Sequence, residues 1–167
     1  MQAMSTLQPQ LQIVQRVITR AADSAGERHI AVSAQRFAKM ATSGAFCLTW
    51  QAHGLSYGIP SSVVPAVASG HWFLVNLSRS VLGQANDVFS EFVTLRLSAN
   101  AETLAKRLSA RGREGLDDMR ARLARKGPEL PPDLTVIDIA NDGPLDQTAR
   151  AALSALNKTL PLSRSLS

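Results

Sequence analysis

Residues 71–89, HWFLVNLSRSVLGQANDVF, decide the fold class of this chain. Residues 72–75 are four large apolar residues in succession, which is typical of a strand that is buried on both faces of a sheet. The segment 78–89 that follows is long enough for a helix and predicts one. A buried strand that leads directly into a helix is the repeating unit of an α/β fold with parallel strands.

The same alternation extends over most of the chain. Further strands are predicted at 11–18, 45–50, 55–59, 92–97 and 134–139. Further helices are predicted at 34–42, 60–70, 101–111, 116–126 and 145–156. Ser33 has the residue type of an N-cap for the first of these helices, Gly44 ends it, and Gly54 allows a hairpin turn.

Bulk composition indicates one globular domain. The chain has 167 residues, 45% of them apolar, and a single cysteine, Cys47, so it has no internal disulfide. We expect residues 1–10 to be disordered, 11–160 to form one domain and 161–167 to be a tail. No apolar run is long enough to span a bilayer and the polar start has no signal-peptide pattern, which together predict a cytoplasmic protein without a membrane partner.

The charge indicates an anionic ligand. The net charge is +5, and the segment from residue 106 to residue 126 contains eight basic and three acidic residues. That basic segment contains no Phe, Trp or Tyr. Because single-stranded nucleic acid is bound by stacking on aromatic side chains, a phosphorylated small molecule is the expected partner and nucleic acid is not.

Several short motifs, in order from about residue 12 to residue 156, resemble the guanylate-kinase-like branch of the P-loop kinases. They are Thr19-Arg20, Gly44-x-Phe46-x-Leu48-x-Trp50, His53-Gly54, Tyr57-Gly58-Ile59-Pro60, Arg107-Leu108-Ser109-Ala110-Arg111-Gly112-Arg113 and Ala121-Arg122-Leu123-Ala124-Arg125. Within that branch, three phrases resemble the ribose 1,5-bisphosphate phosphokinases of phosphonate catabolism: Glu27-Arg28-His29-Ile30-Ala31-Val32-Ser33, Val75-Asn76-Leu77-Ser78-Arg79 and Asn141-Asp142-Gly143. The resemblance implies a three-layer parallel sheet of the nucleoside-monophosphate-kinase type. It also implies ATP and Mg²⁺ as cofactors, and transfer of the γ-phosphoryl group of ATP to ribose 1,5-bisphosphate, which yields 5-phosphoribosyl 1-diphosphate.

Two positions favour a sugar phosphate over guanosine monophosphate as the acceptor. Guanine presents N–H donors that a carboxylate can accept, and guanylate kinases carry Glu and Asp where this chain has Thr49 and Ser78. His29 also replaces a tyrosine that guanylate kinases use on the acceptor phosphate. A guanylate kinase and a non-catalytic binding module of the same fold remain the alternatives.

The resemblance also implies which residues form the site. The substrate-binding residues it implies, in an acceptor region at about 19–60 and just after the strand at 71–77, are Arg20, Glu27, His29, Tyr57, Ser78 and Arg79. The catalytic residues, in a lid at about 107–127, are Arg111, Arg113 and Arg122. Arginine suits both roles because its planar fork of N–H donors binds phosphate in a bidentate manner.

One hallmark of the P-loop kinases is missing from these 167 residues. The Walker A motif Gly-x-x-x-x-Gly-Lys-[Ser/Thr] holds the nucleotide phosphates and Mg²⁺, but the sequence has no Gly-Lys pair, and its first glycine is Gly26. The resemblance begins at the second strand of the family, so we expect a sheet without the first strand, P-loop and first helix. We therefore predict no cofactor-binding residue and no metal ligand in this chain, and weak binding of ATP.

Overall fold

The computed structural model describes residues 1–20, 28–111 and 129–160, with the backbone alone for 108–111. Its strands are β1 Leu11–Ile13, β2 Val17–Ile18, β3 Ile30–Ala31, β4 Phe46–Ala52, β5 Leu55–Pro60, β6 Trp72–Leu74, β7 Val93–Ser98 and β8 Thr135–Ala140. Its helices are α1 Gln2–Leu7, α2 Ala34–Thr42, α3 Val63–Ala68, α4 Leu82–Val88, α5 Ala101–Arg111 and α6 Leu145–Thr159, with a 3-10 turn at Arg79–Val81. No helix in the described ranges combines the length and the apolar character of a bilayer span.

The described strands form three ladders. β1 pairs with β6 and β7 pairs with β8, both parallel, while a mixed sheet has the order β3-β2-β5-β4. Parallel pairs connected through helices confirm the predicted α/β class. An apolar cleft of about 410 Å³ is bordered by both β6 and β7, and the two parallel pairs share one buried cluster that includes Leu74 and Ile139.

The prediction of one strand over 11–18 is wrong. The backbone N–H of Val14 donates to the carbonyl of Leu74 at 2.9 Å, at the end of β1, and the chain then leaves that ladder. Val17 pairs instead with Gly58 of β5 and Ile30 of β3. Val17 and Ile18 are almost fully buried, as is Leu11, so an apolar pattern alone could not separate two strands that belong to different sheets.

The expectation of disorder over residues 1–10 is also corrected. Helix α1 lies in this segment, and Met4 is buried against Ala152 and Leu156 of α6. Met1, Met4 and Leu7 recur every three residues and all belong to this cluster. Burial of that apolar face stabilises a helix that six residues could not maintain alone.

The predicted acceptor region has the expected local structure. Ser33 caps α2, its Oγ accepting a hydrogen bond from the backbone N–H of Arg36 at 3.2 Å. β4 and β5 form an antiparallel hairpin whose two turn residues, His53 and Gly54, have φ values of +53° and +71°. Positive φ at both central positions is the geometry of a two-residue type I′ turn, whose twist matches that of the flanking strands.

Two helix starts differ from the prediction. Residue 60 ends β5, and α3 begins only at Val63. The predicted helix over 78–89 opens as a 3-10 turn and becomes α-helical at Leu82. The predicted start of α5 at Ala101 is confirmed, and the helix extends to Arg111, where the described range stops. The predicted helix at 116–126 and the tail at 161–167 lie outside the described residues.

Candidate acceptor site

Tyr57 occupies the middle of the mixed sheet. It lies on β5 opposite Ile18 of β2 on one side and opposite Trp50 of β4 on the other. The Tyr57 and Trp50 rings stack with centroids 5.1 Å apart and planes 6° apart. Because stacking fixes the ring, the half-buried tyrosine presents its hydroxyl in a set direction.

Arg20 and His29 lie together at the end of β2. The Nε2 atom of His29 is 3.3 Å from the backbone oxygen of Arg20. Thr19, just before Arg20, is bound to β5, its Oγ1 accepting a hydrogen bond from the N–H of Ser56 at 2.9 Å. The structure therefore brings Arg20 and His29 beside the strand that carries Tyr57.

Arg20 has a buried donor atom that nothing in the described structure satisfies. Its Nε is buried and has no hydrogen-bond partner. A buried N–H without a partner costs roughly 1–3 kcal/mol, and more for a charged group. An anion bound beside β2 would remove that cost, which makes Arg20 a strong candidate for the phosphate contact that the sequence predicts.

Ser78 and Arg79 follow β6 at its carboxyl end. Ser78 is engaged locally, since its Oγ lies 2.9 Å from the Oγ of Ser80 and accepts from the Ser80 N–H at 3.4 Å. Val81, in the same turn, belongs to the buried cluster that contains Trp50, and this contact places the turn against the mixed sheet. Arg79 is exposed and borders the cleft at β6, so of the two it is better placed to meet a ligand.

Four predicted site residues cannot be placed. Glu27, Arg113 and Arg122 lie outside the described residues, and only the backbone of Arg111 is described, at the end of α5. Nothing in the described structure tests their roles, which remain predictions.

The base of the predicted lid helix α5 is held firmly. The Asn100 side chain caps the helix, its Oδ1 accepting from the N–H of Thr103 at 2.8 Å, and the Asn100 N–H donates to Oδ1 of Asp142 at 2.7 Å. Further along, Nη2 of Arg107 approaches Oδ1 of Asn141 at 3.5 Å and the carbonyl of Gly143 at 3.4 Å. The predicted turn at 141–143 therefore anchors α5.

Thr49 does not lie beside Tyr57. It is exposed and pairs with Gly58. Because side chains alternate along a strand, Thr49 points to the opposite face of the sheet from Trp50 and Tyr57. A role for Thr49 in excluding guanine therefore stays a prediction from the sequence.

Sequence reasoning missed two arrangements. The guanidinium carbon of Arg16 lies 5.5 Å from the centroid of the Tyr57 ring. On the parallel pair β7–β8, Arg96 binds the Asp138 carboxylate with two nitrogens, one of them at 2.7 Å, although both side chains are exposed. The hydrogen bond from Arg96 lowers the pKa of Asp138 and raises that of Arg96. Both contacts depend on cross-strand register, which the sequence does not give.

The sequence predicts no metal ligand and no cofactor-binding residue in this chain. Across 1–20, 28–111 and 129–160, no group of three or more His, Cys, Asp and Glu side chains could hold a metal ion. The sequence also has no Gly-Lys pair. Weak binding of Mg-ATP by this chain stays a prediction from the sequence.

Comparison with known proteins identifies the family. The chain is 41% identical over 145 residues to the ribose 1,5-bisphosphate phosphokinase PhnN of Rhizobium etli, a match that covers 87% of this chain and 74% of that protein. It is 42% identical over 151 residues to the PhnN protein of Pseudomonas fluorescens, covering 87% of this chain and 79% of that protein. The chain belongs to the ribose 1,5-bisphosphate phosphokinase family. The resemblance predicted from the sequence is thereby confirmed, although no protein-family model matches the chain.

The fold of this family member is also confirmed. A crystal structure of guanylate kinase from Anaplasma phagocytophilum superposes with a TM-score of 0.66, covering 94% of this chain and 80% of that one. The sequence identity is 17%, so this likeness establishes a guanylate-kinase-like α/β fold and nothing about the acceptor.

Proposed function

We propose that the chain is a phosphotransferase that moves the γ-phosphoryl group of ATP onto ribose 1,5-bisphosphate, giving ADP and 5-phosphoribosyl 1-diphosphate. The observation that carries this proposal is the 41–42% identity to proteins named for that acceptor, over 87% of the chain. The acceptor is a small phosphorylated sugar, and neither nucleic acid nor a membrane is a partner. The reaction takes place in the cytoplasm.

The acceptor phosphates bind at the mixed sheet. Arg20 supplies a charged fork of donors, and Tyr57 supplies a hydroxyl donor from a ring fixed against Trp50. The buried, unsatisfied Nε of Arg20 supports this role. Further contacts come from the other predicted acceptor residues, Glu27, His29, Ser78 and Arg79.

The lid stabilises the group in transfer. Arg111, Arg113 and Arg122 approach the transferred phosphoryl group as the lid closes, neutralising the charge that develops on its oxygens and excluding water. The Asn100 cap fixes the start of α5, the helix that ends at position 111. Replacement of Arg122 by Ala should then reduce kcat far more than it raises the KM for the acceptor.

Phosphoryl transfer also needs a nucleotide donor with magnesium, and we expect the 167-residue chain to bind these weakly. The family reaction uses ATP, but this sequence contains no Gly-Lys pair to cradle its phosphates. The 167-residue chain therefore binds Mg-ATP weakly and turns over slowly. Calorimetric titration with Mg-ATP measures this directly, and a micromolar Kd would contradict it.

A guanylate kinase is the second candidate because the sequence motifs from Thr19-Arg20 to Tyr57-Gly58-Ile59-Pro60 also resemble that branch. The deciding assay incubates the chain with millimolar Mg-ATP and either ribose 1,5-bisphosphate or guanosine monophosphate, and follows the products by phosphorus NMR. We expect 5-phosphoribosyl 1-diphosphate from the first and little guanosine diphosphate from the second. An Arg20→Met variant should lose the product, while Arg36→Met, on the exposed face of α2, should not. Higher kcat/KM for guanosine monophosphate would reject the proposal.

A non-catalytic binding module of this fold is the remaining alternative. It predicts no phosphoryl transfer to either acceptor and capture of a protein partner without nucleotide. Product formation that is lost in the Arg20→Met variant would reject it.

A further inference from the structure

The hydroxyl of Thr19 ends the pairing between β2 and β5. Ile18 lies opposite Tyr57 in this antiparallel pair, so Thr19 faces the residue before Tyr57 on β5, which is Ser56. In a regular ladder, two such residues exchange two hydrogen bonds between their backbones. The first of these bonds is regular, since the Thr19 N–H donates to the Ser56 carbonyl at 3.1 Å. The second goes to a side chain: the Ser56 N–H donates to Oγ1 of Thr19 at 2.9 Å.

This exchange of a backbone acceptor for a side-chain acceptor allows the chain to turn. β2 ends at Ile18, and the backbone bends at residues 19 and 20. A bend here moves the Thr19 carbonyl out of line with the ladder, and a backbone N–H that loses its acceptor in a partly buried place destabilises the fold. Because the threonine hydroxyl accepts from Ser56 instead, the chain leaves β5 directly before Arg20 with this N–H still satisfied.

The bend sets the direction in which the Arg20 side chain leaves the sheet. The backbone of Arg20 is held on both sides, by the Thr19–Ser56 pair before it and by Nε2 of His29, which lies 3.3 Å from the Arg20 carbonyl. The side chain continues from this fixed point to a buried Nε that has no hydrogen-bond partner in the described structure. Since a guanidinium binds phosphate in a bidentate manner only when its fork has the right orientation, the geometry of the bend controls the contact.

We infer that Thr19 is a positioning residue, whose hydroxyl fixes the bend that orients Arg20 toward the acceptor phosphate. The hydroxyl acts on the Ser56 N–H and not on the ligand. This inference rests on the proposed function for the identity of the ligand, and it goes beyond that function because it assigns the orientation of Arg20 to its neighbour. Thr19→Val tests it, since valine is close to threonine in size but has no acceptor, while Thr19→Ser keeps the hydroxyl.

The first measurement needs no ligand. The arginine Nε–H groups are observed by proton–nitrogen NMR, and the Arg20 signal is identified by its loss in Arg20→Met. Because this Nε is buried, its proton should exchange slowly with water. Thr19→Val should shift the signal and raise its exchange rate by about 5-fold or more, a factor typical of one lost hydrogen bond. Thr19→Ser should leave both unchanged.

The second measurement is the affinity for ribose 1,5-bisphosphate, by calorimetry. Thr19→Val should raise the Kd by about 5-fold or more, whereas in an Arg20→Met background it should change the Kd by less than about 2-fold, because the misplaced group is absent. Thr19→Ser should bind as the unsubstituted chain does. Thr42→Val is the matched control: that hydroxyl donates to the carbonyls of Ala38 and Lys39 at the exposed end of α2, and its loss should alter neither measurement.

The outcomes separate the positioning role from the reaction. The inference is overturned if Thr19→Val leaves the Arg20 signal unchanged, or if it weakens binding equally with and without the Arg20 side chain, as a merely structural threonine would. If Thr19→Val fails to fold, Thr19→Ala is measured in the same two ways, and an unchanged Arg20 signal rejects the inference. An Arg20 signal that depends on the Thr19 hydroxyl, in a chain that does not bind ribose 1,5-bisphosphate, would uphold the role of Thr19 in orienting Arg20 and reject the proposed function.

Discussion

Gly58, next to Tyr57 in β5, has no space for a side chain. A Cβ at this position would lie 2.7, 2.8 and 2.9 Å from three ring carbons of Phe46. Non-bonded carbons normally approach to about 3.5–4.0 Å, so the ring would have to move by about 1 Å. The Phe37 ring stacks on the Phe46 ring with centroids 4.8 Å apart, so the Phe46 ring has little room to move away from a new methyl group. Gly58→Ala should therefore strain the packing of the mixed sheet against α2.

The expected cost follows from overpacking. Inserting a methyl group into a filled core costs about 1–3 kcal/mol of unfolding free energy. At about 2–4 °C per kcal/mol for a chain of this size, the Tm should fall by about 2–12 °C. The assay is thermal unfolding followed by far-ultraviolet circular dichroism. Gly83→Ala is the matched control: its Cβ would meet only Pro131 at an ordinary 3.7 Å, and it lies in α4, where alanine is favoured.

Removing the Phe46 ring tests whether its clash with the new methyl group causes the loss of stability. In a Phe46→Ala background, which is itself destabilised, the further step Gly58→Ala should cost almost nothing because the opposing ring is gone. The reasoning is refuted if Gly58→Ala melts at or above the Tm of the unsubstituted chain. It is also refuted if the cost of Gly58→Ala is the same with and without the Phe46 ring.

Three further predictions concern individual side chains. Tyr57→Phe keeps the stack on Trp50 but removes the hydroxyl. Calorimetry should therefore show an acceptor Kd that is raised by about 10-fold or more, while the Tm does not change. An unaltered Kd would exclude the hydroxyl as a hydrogen-bond donor to the acceptor phosphate. Asn100→Ala removes the cap of α5 and should cost about 1 kcal/mol, or about 2–4 °C in Tm, and an unchanged melting curve would contradict the capping role. Burial raises the pKa of the Cys47 thiol, so less thiolate is present at any given pH. The rate of Cys47 alkylation should therefore rise with pH, with a midpoint above the pKa of ~8.5 of free cysteine. A midpoint below that pKa would contradict the effect of burial.

Local signals predicted much of the described structure. The Ser33 cap, the hairpin turn at Gly54 and the start of α5 at Ala101 depend on residues close in sequence, and all three are confirmed. The family was also predictable, because many short motifs occur in order along the chain. Arg20, His29 and Tyr57 came from those motifs, and the structure places them at one sheet.

The features that the sequence did not predict have one cause in common: each depends on contacts between residues that are far apart in the chain. The segment 11–18 is apolar throughout, and only the pairing of Leu11 with Trp72 and of Val17 with Gly58 shows that it serves two sheets. Helix α1 is stabilised by contacts with α6 far along the chain. The sequence did not predict the contact of Arg16 with Tyr57, because these residues are far apart in the chain and only the strand register brings them together.

The central claim is that the mixed sheet binds a bisphosphorylated ribose, and competitive calorimetry on the 167-residue chain tests it most directly. Ribose 1,5-bisphosphate should bind at least about 10-fold more tightly than guanosine monophosphate, and the difference should shrink in the Arg20→Met variant. Equal or tighter binding of guanosine monophosphate, unaffected by that substitution, would contradict the account.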